Sequence, residues 1–270
     1  GGTIGFEMRG AEIFDGTGAS VAAAGDLNGD GIDDVAVGAP DAGTPGGAFA
    51  QGYTYIVYGR DTGFPPELIL QDLDADEGFR IEGATQYDGI GTAIAGGSDL
   101  NGDGFEDLVL GAPFQGYDYG CYYCGTYRAG HGAAYVIYGS NGPFEPTLSL
   151  GDPGLDNVIQ IEGPLDSRMG ISVATGGDFN ADGRPDIALG APDGFESGTV
   201  GLGAGMVVLG RGPGRCDADL DGDGELTLFD FLAFQNLFDA GDLIADFDGD
   251  GRLTLFDFLA FQNAFDAGCP

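Results

Sequence analysis

The sequence predicts a mainly β chain: three antiparallel sheets of propeller-blade size, followed by a small helical unit made of two short repeats. Three observations carry this expectation. An acidic, glycine-punctuated loop opens at Asp26 and returns at Asp99 and Asp178, giving spacings of 73 and 79 residues. Each loop runs into a short apolar stretch that ends in Gly-Ala-Pro, with the alternation and β-branched residues of a strand. Toward the C-terminus the loop changes form. The spacing falls to 27 residues, from Asp219 to Asp246, and each loop leads into a Phe-rich segment with helical spacing.

Taken in order, each long repeat opens on an extended segment: "GFEMRGA", "GFRIEGA" and "VIQIEGP". A run of small residues follows, as in "GASVAAAGD" and "GTAIAGGSD". The acidic loops "DLNGDGIDD", "DLNGDGFED" and "DFNADGRPD" precede the strands "DVAVGAP", "DLVLGAP" and "DIALGAP". After a variable loop comes a further strand: "YTYIVYG", "AAYVIYG" or "AGMVVLG". About four strands per unit is the size of one propeller blade. The first two units continue with "PELILQDL" and "EPTLSLGD", whereas the third does not, so blade three is expected to lack its outermost strand. "RGPGR", residues 211–215, reads as a linker between blades 1–210 and a module at 216–270. In that module Phe231, Leu232, Phe234, Leu237 and Phe238, and their twins Phe258, Leu259, Phe261, Ala264 and Phe265, predict two helices.

Charge restricts the partners. The chain has 270 residues with 44 acidic and 9 basic side chains, all of the latter Arg, for a net charge of −35. Such an excess disfavours nucleic acid and anionic membranes, and it repels itself unless cations neutralise it. An acidic solvated surface would scatter the carboxylates, yet many sit in five short loops, which favours bound cations. No apolar run reaches transmembrane length. The opening "GGTIGFEM", without Met or a signal peptide, is what a processed mature form would show.

The loops point to calcium, a hard cation that takes six to eight oxygen ligands. Alternate residues of a tight loop aim oxygens at one centre, and Gly permits the turn. The expected ligands are Asp26, Asn28, Asp30, the Ile32 carbonyl and Asp34 in the first loop. In the second they are Asp99, Asn101, Asp103, the Phe105 carbonyl and Asp107. The third would use Asp178, Asn180, Asp182, the Arg184 carbonyl and Asp186. The last two loops follow the twelve-residue EF-hand form with Gly at position six. One would use Asp219, Asp221, Asp223, the Glu225 carbonyl and Asp230, and the other Asp246, Asp248, Asp250, the Arg252 carbonyl and Asp257. Thr227 and Thr254 stand at position nine, and Asp replaces the usual Glu at position twelve. The competing readings are Asx-rich turns without metal, and magnesium, which seldom uses all-protein cages. The expected role is structural, with about five Ca2+ ions holding acidic turns in shape.

The order small-residue strand, Asp-x-Asn-x-Asp-Gly-x-x-Asp, apolar-Gly-Ala-Pro resembles the FG-GAP repeat of integrin alpha-subunit propellers, over roughly residues 1–210. The "FG" element is degenerate, reading "FDGTG", "YDGIG" and "SRMG". That family builds a closed seven-bladed ring, and three blades here imply an incomplete β-propeller. The loop-plus-helix pair resembles a dockerin, the calcium module that docks secreted bacterial proteins onto a partner. Its terminal "GC" is similar to dockerin-type anchoring domains of exported bacterial proteins. The resemblance places partner recognition at Leu228, Phe229, Leu255 and Phe256.

Cys216 and Cys269 bracket the module, and a disulfide clasp between its ends is the favoured reading; an even Cys count fits an oxidising compartment. Cys121 and Cys124, spaced C-x-x-C, favour a loop-local disulfide over a redox pair, because no βαβ pattern surrounds them. With His131 they supply only three of the four ligands that zinc would take. No G-x-S-x-G elbow accompanies His131, the single His, so catalysis is not expected. No N-x-Ser/Thr sequon is present. The resulting expectation is a secreted calcium-binding structural or adhesion protein. Its open blades would be completed by self-association, in a filament or surface assembly. The alternative is a monomeric protein- or glycan-binding module, tethered to a cohesin-like scaffold. A hydrolase similar to FG-GAP-bearing lipases would need a catalytic domain that this chain does not display.

Overall fold

The computed structural model describes residues 5–10, 13–43, 51–116, 130–142, 144–155, 157–181, 183–193, 203–210, 218, 220, 226–240, 245, 247 and 253–267. The chain divides into two compact units, one built from the strands before Gly210 and one carrying both helices after Arg211. The expected linker, residues 211–215, lies outside the described residues.

The first unit contains fourteen described strands: β1 (Glu7–Arg9), β2 (Ser20–Gly25), β3 (Asp34–Ala39), β4 (Tyr53–Val57), β5 (Glu67–Ile69), β6 (Gly78–Glu82) and β7 (Ala93–Ser98) come first. They are followed by β8 (Asp107–Ala112), β9 (Ala133–Ile137), β10 (Thr147–Ser149), β11 (Val158–Glu162), β12 (Ser172–Gly177), β13 (Asp186–Ala191) and β14 (Ala204–Val208). Each repeat folds as the alternation predicts. A small-residue strand turns through the acidic loop into the Gly-Ala-Pro strand, which pairs antiparallel with the next one. The sheets run β10-β6-β4-β3-β2, β11-β9-β8-β7 and β12-β13-β14, with a separate pair β1-β5. At the same place in each hairpin one extra residue bulges out (Ala24, Gly97 or Gly176), just before the acidic loop.

The outermost strands correct the expected order. "GFRIE" and "VIQIE" do not open a new blade. As β6 and β11 they pair antiparallel with β4 and β9 and complete the preceding sheet. The segments read as outermost strands add in parallel instead, β10 onto β6 and β5 back onto β1. The pairing partners lie far apart in the chain, so local patterning could not assign them. The third sheet has three strands among the described residues; the strand it lacks beside β14 is the counterpart of β6 and β11, not the "PELILQDL"-type segment expected to be absent.

Successive sheets stack face to face. Ala36, Ile56, Phe79 and Ile81 of the first sheet share one core with Leu108, Leu110 and Tyr135 of the second. Val109 and Val136 of the second meet Ile187 and Leu189 of the third. The other face of the first sheet, Val37, Tyr55 and Val57, is covered by Phe6 just before β1, by Met8 of β1 and by Leu68 and Leu70. Fully burying one such side chain contributes roughly 1.5–3 kcal/mol. Glycine permits the closest approach: a Cβ at Gly38 would stand 2.1 Å from the Gly91 carbonyl, and one at Gly111 would stand 1.9 Å from that of Gly170.

The second unit holds α1 (Leu228–Ala240) and α2 (Leu255–Ala267). Phe234 and Phe261, equivalent in the 27-residue repeat, stack on each other at 4.4 Å and 13°. The flanking contacts are reciprocal, Phe231 with Phe261 at 6.2 Å and Phe258 with Phe234 at 6.1 Å. Both stacked rings are buried, together with Ala218 and Ala245. Each helix begins with a Thr cap. The Thr227 Oγ accepts the Phe229 N–H at 3.1 Å, while Asp230 Oδ2 accepts the Thr227 N–H at 2.8 Å. Thr254 likewise donates its N–H to Asp257 Oδ2 at 2.6 Å. This is a capping box with Asp in the place of Glu. Among the described residues no helix is long and apolar enough to cross a membrane.

Candidate metal centre

The three long-repeat loops share one geometry. In the first, Asp26 is half-buried, its Oδ1 and Oδ2 accepting the N–H groups of Asp30 at 2.9 Å and Gly31 at 2.8 Å. Asn28 Oδ1 accepts the Asp30 N–H at 3.0 Å, and Asp30 Oδ1 accepts the Ile32 N–H at 2.9 Å. In the second, Asp99 Oδ2 takes the Gly104 N–H at 2.9 Å, and Asn101 Oδ1 takes the Asp103 N–H at 3.0 Å. Phe105 is half-buried. In the third, Asp178 Oδ2 takes the Gly183 N–H at 2.9 Å; Asn180 is exposed and Arg184 half-buried. Asp182 lies outside the described residues.

The ninth residue of each loop does something the sequence did not announce. Asp34, Asp107 and Asp186 are buried, and each clamps two backbone amides. Their Oδ2 atoms accept the N–H of Leu27 at 3.1 Å, Leu100 at 2.7 Å and Phe179 at 2.6 Å. Their Oδ1 atoms accept the N–H of Gly59 at 2.9 Å, Gly139 at 2.9 Å and Gly210 at 2.8 Å. One carboxylate thus ties the loop to the end of the sheet's third strand. The glycine was the available signal, at the end of "VYG", "IYG" and "VLG". A Cβ there would stand 2.5, 2.4 or 2.2 Å from the carbonyl of Asp33, Glu106 or Pro185, the residue preceding the clamp.

Burial pushes the Asp34 carboxyl up to about 7, against the lowering effect of its two amide bonds. A neighbouring cation would favour the charged form instead. The donor set is all hard oxygen, and a clamping carboxylate keeps lone pairs beyond the two it uses. That chemistry suits calcium. Among the described residues, however, no three His, Cys, Asp or Glu side chains gather as an ion cage. The loop carboxylates are instead turned toward backbone amides. A hollow of about 280 Å³ beside the first loop is lined by Asn28, Asp30 and Asn141, and by Asp76, which the loop pattern does not include.

In the helical unit Asp230 and Asp257 are buried in the caps described above. Asp219, Asp221, Asp223, Glu225, Asp246, Asp248, Asp250 and Arg252 lie outside the described residues, as do Cys121, Cys124, Cys216 and Cys269. Leu228, Phe229 and Leu255 are exposed, and nothing is described of the Phe256 side chain. A groove of about 450 Å³ runs along Phe231, Phe234, Gln235, Phe238, Leu255 and Phe258. His131 sets its Nδ1 3.0 Å from the Gly132 carbonyl.

The FG-GAP repeat family matches residues 17–57, 90–137 and 169–208, each match covering the first three strands of one sheet. The chain carries three FG-GAP repeats. It is 42% identical over 120 residues to phosphatidylinositol-glycan-specific phospholipase D of Rattus norvegicus, covering 44% of this chain and 13% of that protein. Integrin alpha-6 of Gallus gallus is 37% identical over 126 residues, 46% of this chain and 10% of the integrin. Integrin alpha-5 of Xenopus laevis is 30% identical over 190 residues, 69% of this chain and 16% of the integrin. The chain therefore spans less than a fifth of each of these relatives.

Proposed function

We propose that this FG-GAP chain is a secreted, calcium-stabilised structural or adhesion protein without catalytic activity of its own. Its blades are completed by self-association in an extracellular filament or surface assembly, and the dockerin-like module joins or anchors subunits. The observation that supports this most is the third sheet, which among the described residues has three strands where the first two have at least four, and which leaves Phe179 and Val207 exposed. The integrin likeness favours adhesion. The phospholipase likeness lends no activity, because it covers only 13% of that protein.

Calcium would be held by the loop residues named above, Asp26, Asn28, Asp30 and Asp34 and their counterparts. Bound there, it supplies positive charge to turns that otherwise repel themselves. The chain's own residues shape the loops through the amide bonds of Asp34, Asp107 and Asp186. The exposed Leu228, Phe229 and Leu255 favour an apolar docking face on the helices, which a tethered binding module would also use.

Light scattering and thermal melting in calcium and in a chelator test the reading. Oligomers in calcium that dissociate, with a lower Tm, in the chelator are expected. Unchanged melting and association on chelation would refute the calcium role. A monodisperse monomer in calcium would refute self-association and favour the tethered module.

A further inference from the structure

The self-association just proposed can be assigned to particular strands, because the chain carries both halves of a composite blade. The first sheet runs β10-β6-β4-β3-β2. Strand β1 with the Phe6 before it, "FEMR", is the repeat counterpart of "FRIE" in β6. Strand β5 pairs with β1 as β10 pairs with β6, both parallel, with Glu7 opposite Glu67 where Arg80 is opposite Thr147. Strand β14 is the counterpart of β4. Setting the two incomplete sheets side by side gives β5-β1-β14-β13-β12, the order already seen in the first sheet. Within one chain β1 lies against the first sheet, and the second sheet stands between the first and β14. Within one chain β1 is therefore kept from β14, whereas β1 of another copy can reach it.

We infer that β1 of one copy completes the third sheet of the next by pairing antiparallel with β14. The register is set by the internal pairs: Phe79 faces Ile56 and Glu82 faces Tyr53, so Phe6 faces Val207 and Arg9 faces Ala204. Two further observations, independent of strand order, point to the same occupant.

Positions that the following sheet covers in the first two repeats are bare in the third. Val207 is 47% exposed, where Ile56 and Val136 are 0% and 3%. Phe179 is 64% exposed, where Leu27 and Leu100 are 0% and 3%. What covers Leu27 and Ile56 is the face of a following sheet, and another copy's first sheet supplies one. The glycine contacts agree. Gly38 meets Gly91 and Gly111 meets Gly170, each pair joining consecutive sheets. In the third sheet Gly190 has Ser172 as its nearest neighbour, and Gly18, the counterpart of Gly91 and Gly170, has no atom within 4 Å of a Cβ built on it. Gly18 nevertheless keeps a φ of +88°, close to the +84° and +90° of those counterparts. Gly18 and Gly190 are thus the two halves of one more contact of the same kind, at opposite ends of the blade stack.

The interface is heterologous: the surface that donates differs from the one that receives. It is a β-augmentation, with main-chain bonds holding the strand and alternate side chains setting the register.

The test is a pair of cysteines in the full chain, Arg9→Cys with Ala204→Cys, oxidised in calcium after mixing isotope-labelled and unlabelled protein. Directly opposed Cβ atoms lie about 5 Å apart, near the separation of a disulfide. Peptide mapping should find residue 9 joined to residue 204 across copies, in dimers and higher species absent from the unsubstituted chain. Arg9→Cys with Met206→Cys, two residues out of register and about 7 Å apart, should link far less. Val207→Asp, on an exposed site, should weaken association about tenfold or more while circular dichroism stays unchanged. Association that gives no 9–204 link, or that ignores Val207→Asp, overturns this strand assignment and leaves self-association standing. A monomer in calcium overturns both.

Discussion

The closing aspartates show how much one buried side chain can hold. Asp107 is fully buried and accepts two backbone amides from segments that meet at one end of its sheet, at Leu100 in the loop and Gly139 after the third strand. An amide side chain offers a single acceptor oxygen, so Asp107→Asn leaves one N–H facing an NH2 group. A buried donor without an acceptor costs about 1–3 kcal/mol. Urea unfolding in a chelator, which isolates the clamp from any ion, should show a loss of this size. Asp103→Asn, at an exposed position of the same loop, should stay within about 0.5 kcal/mol. Equal effects would show that the clamp contributes nothing special. The spacing Asp-x-Asn-x-Asp-Gly-x-x-Asp suggests a ligand set. It did not reveal the clamp, because accepting an amide and coordinating an ion place the same demand on residue type.

Among the elements, the hairpins and helices were legible in sequence and the blade edges were not. "DVAVGAP" and "YTYIVYG" form adjacent strands as their alternation implies. The helices start where the Thr caps stand, a signal visible in the sequence as Thr-x-x-Asp. The partner of "GFRIE" could not be read, since β6 pairs with a strand that ends some twenty residues earlier in the chain. In the helical module the sequence left open which Phe are core and which face outward. Phe234 stacks on Phe261 and is buried, while Phe229 is exposed. Phe234→Ala should therefore cost the module about 3–5 kcal/mol, seen as an early loss of helical signal on heating. Phe229→Ala should change stability by no more than about 0.5 kcal/mol. A reversed ranking would mean the module packs differently.

At the scale of the whole molecule, the chain carries a net charge of −35, and its strand-rich unit has an apolar face at one end. These two properties oppose each other. The bare Phe179 and Val207 favour contact, whereas two copies of so anionic a chain push each other away at long range. Most protein pairs that meet through opposite charges separate as salt is added. Here the sign is inverted: sodium chloride at constant calcium shortens the repulsion, to about 8 Å at physiological ionic strength, and should drive copies together. Light scattering across a salt series measures it, and weaker association at higher salt would contradict the idea. The uncovered end then behaves as a latch under electrostatic guard, silent in dilute fresh water and engaged in brine.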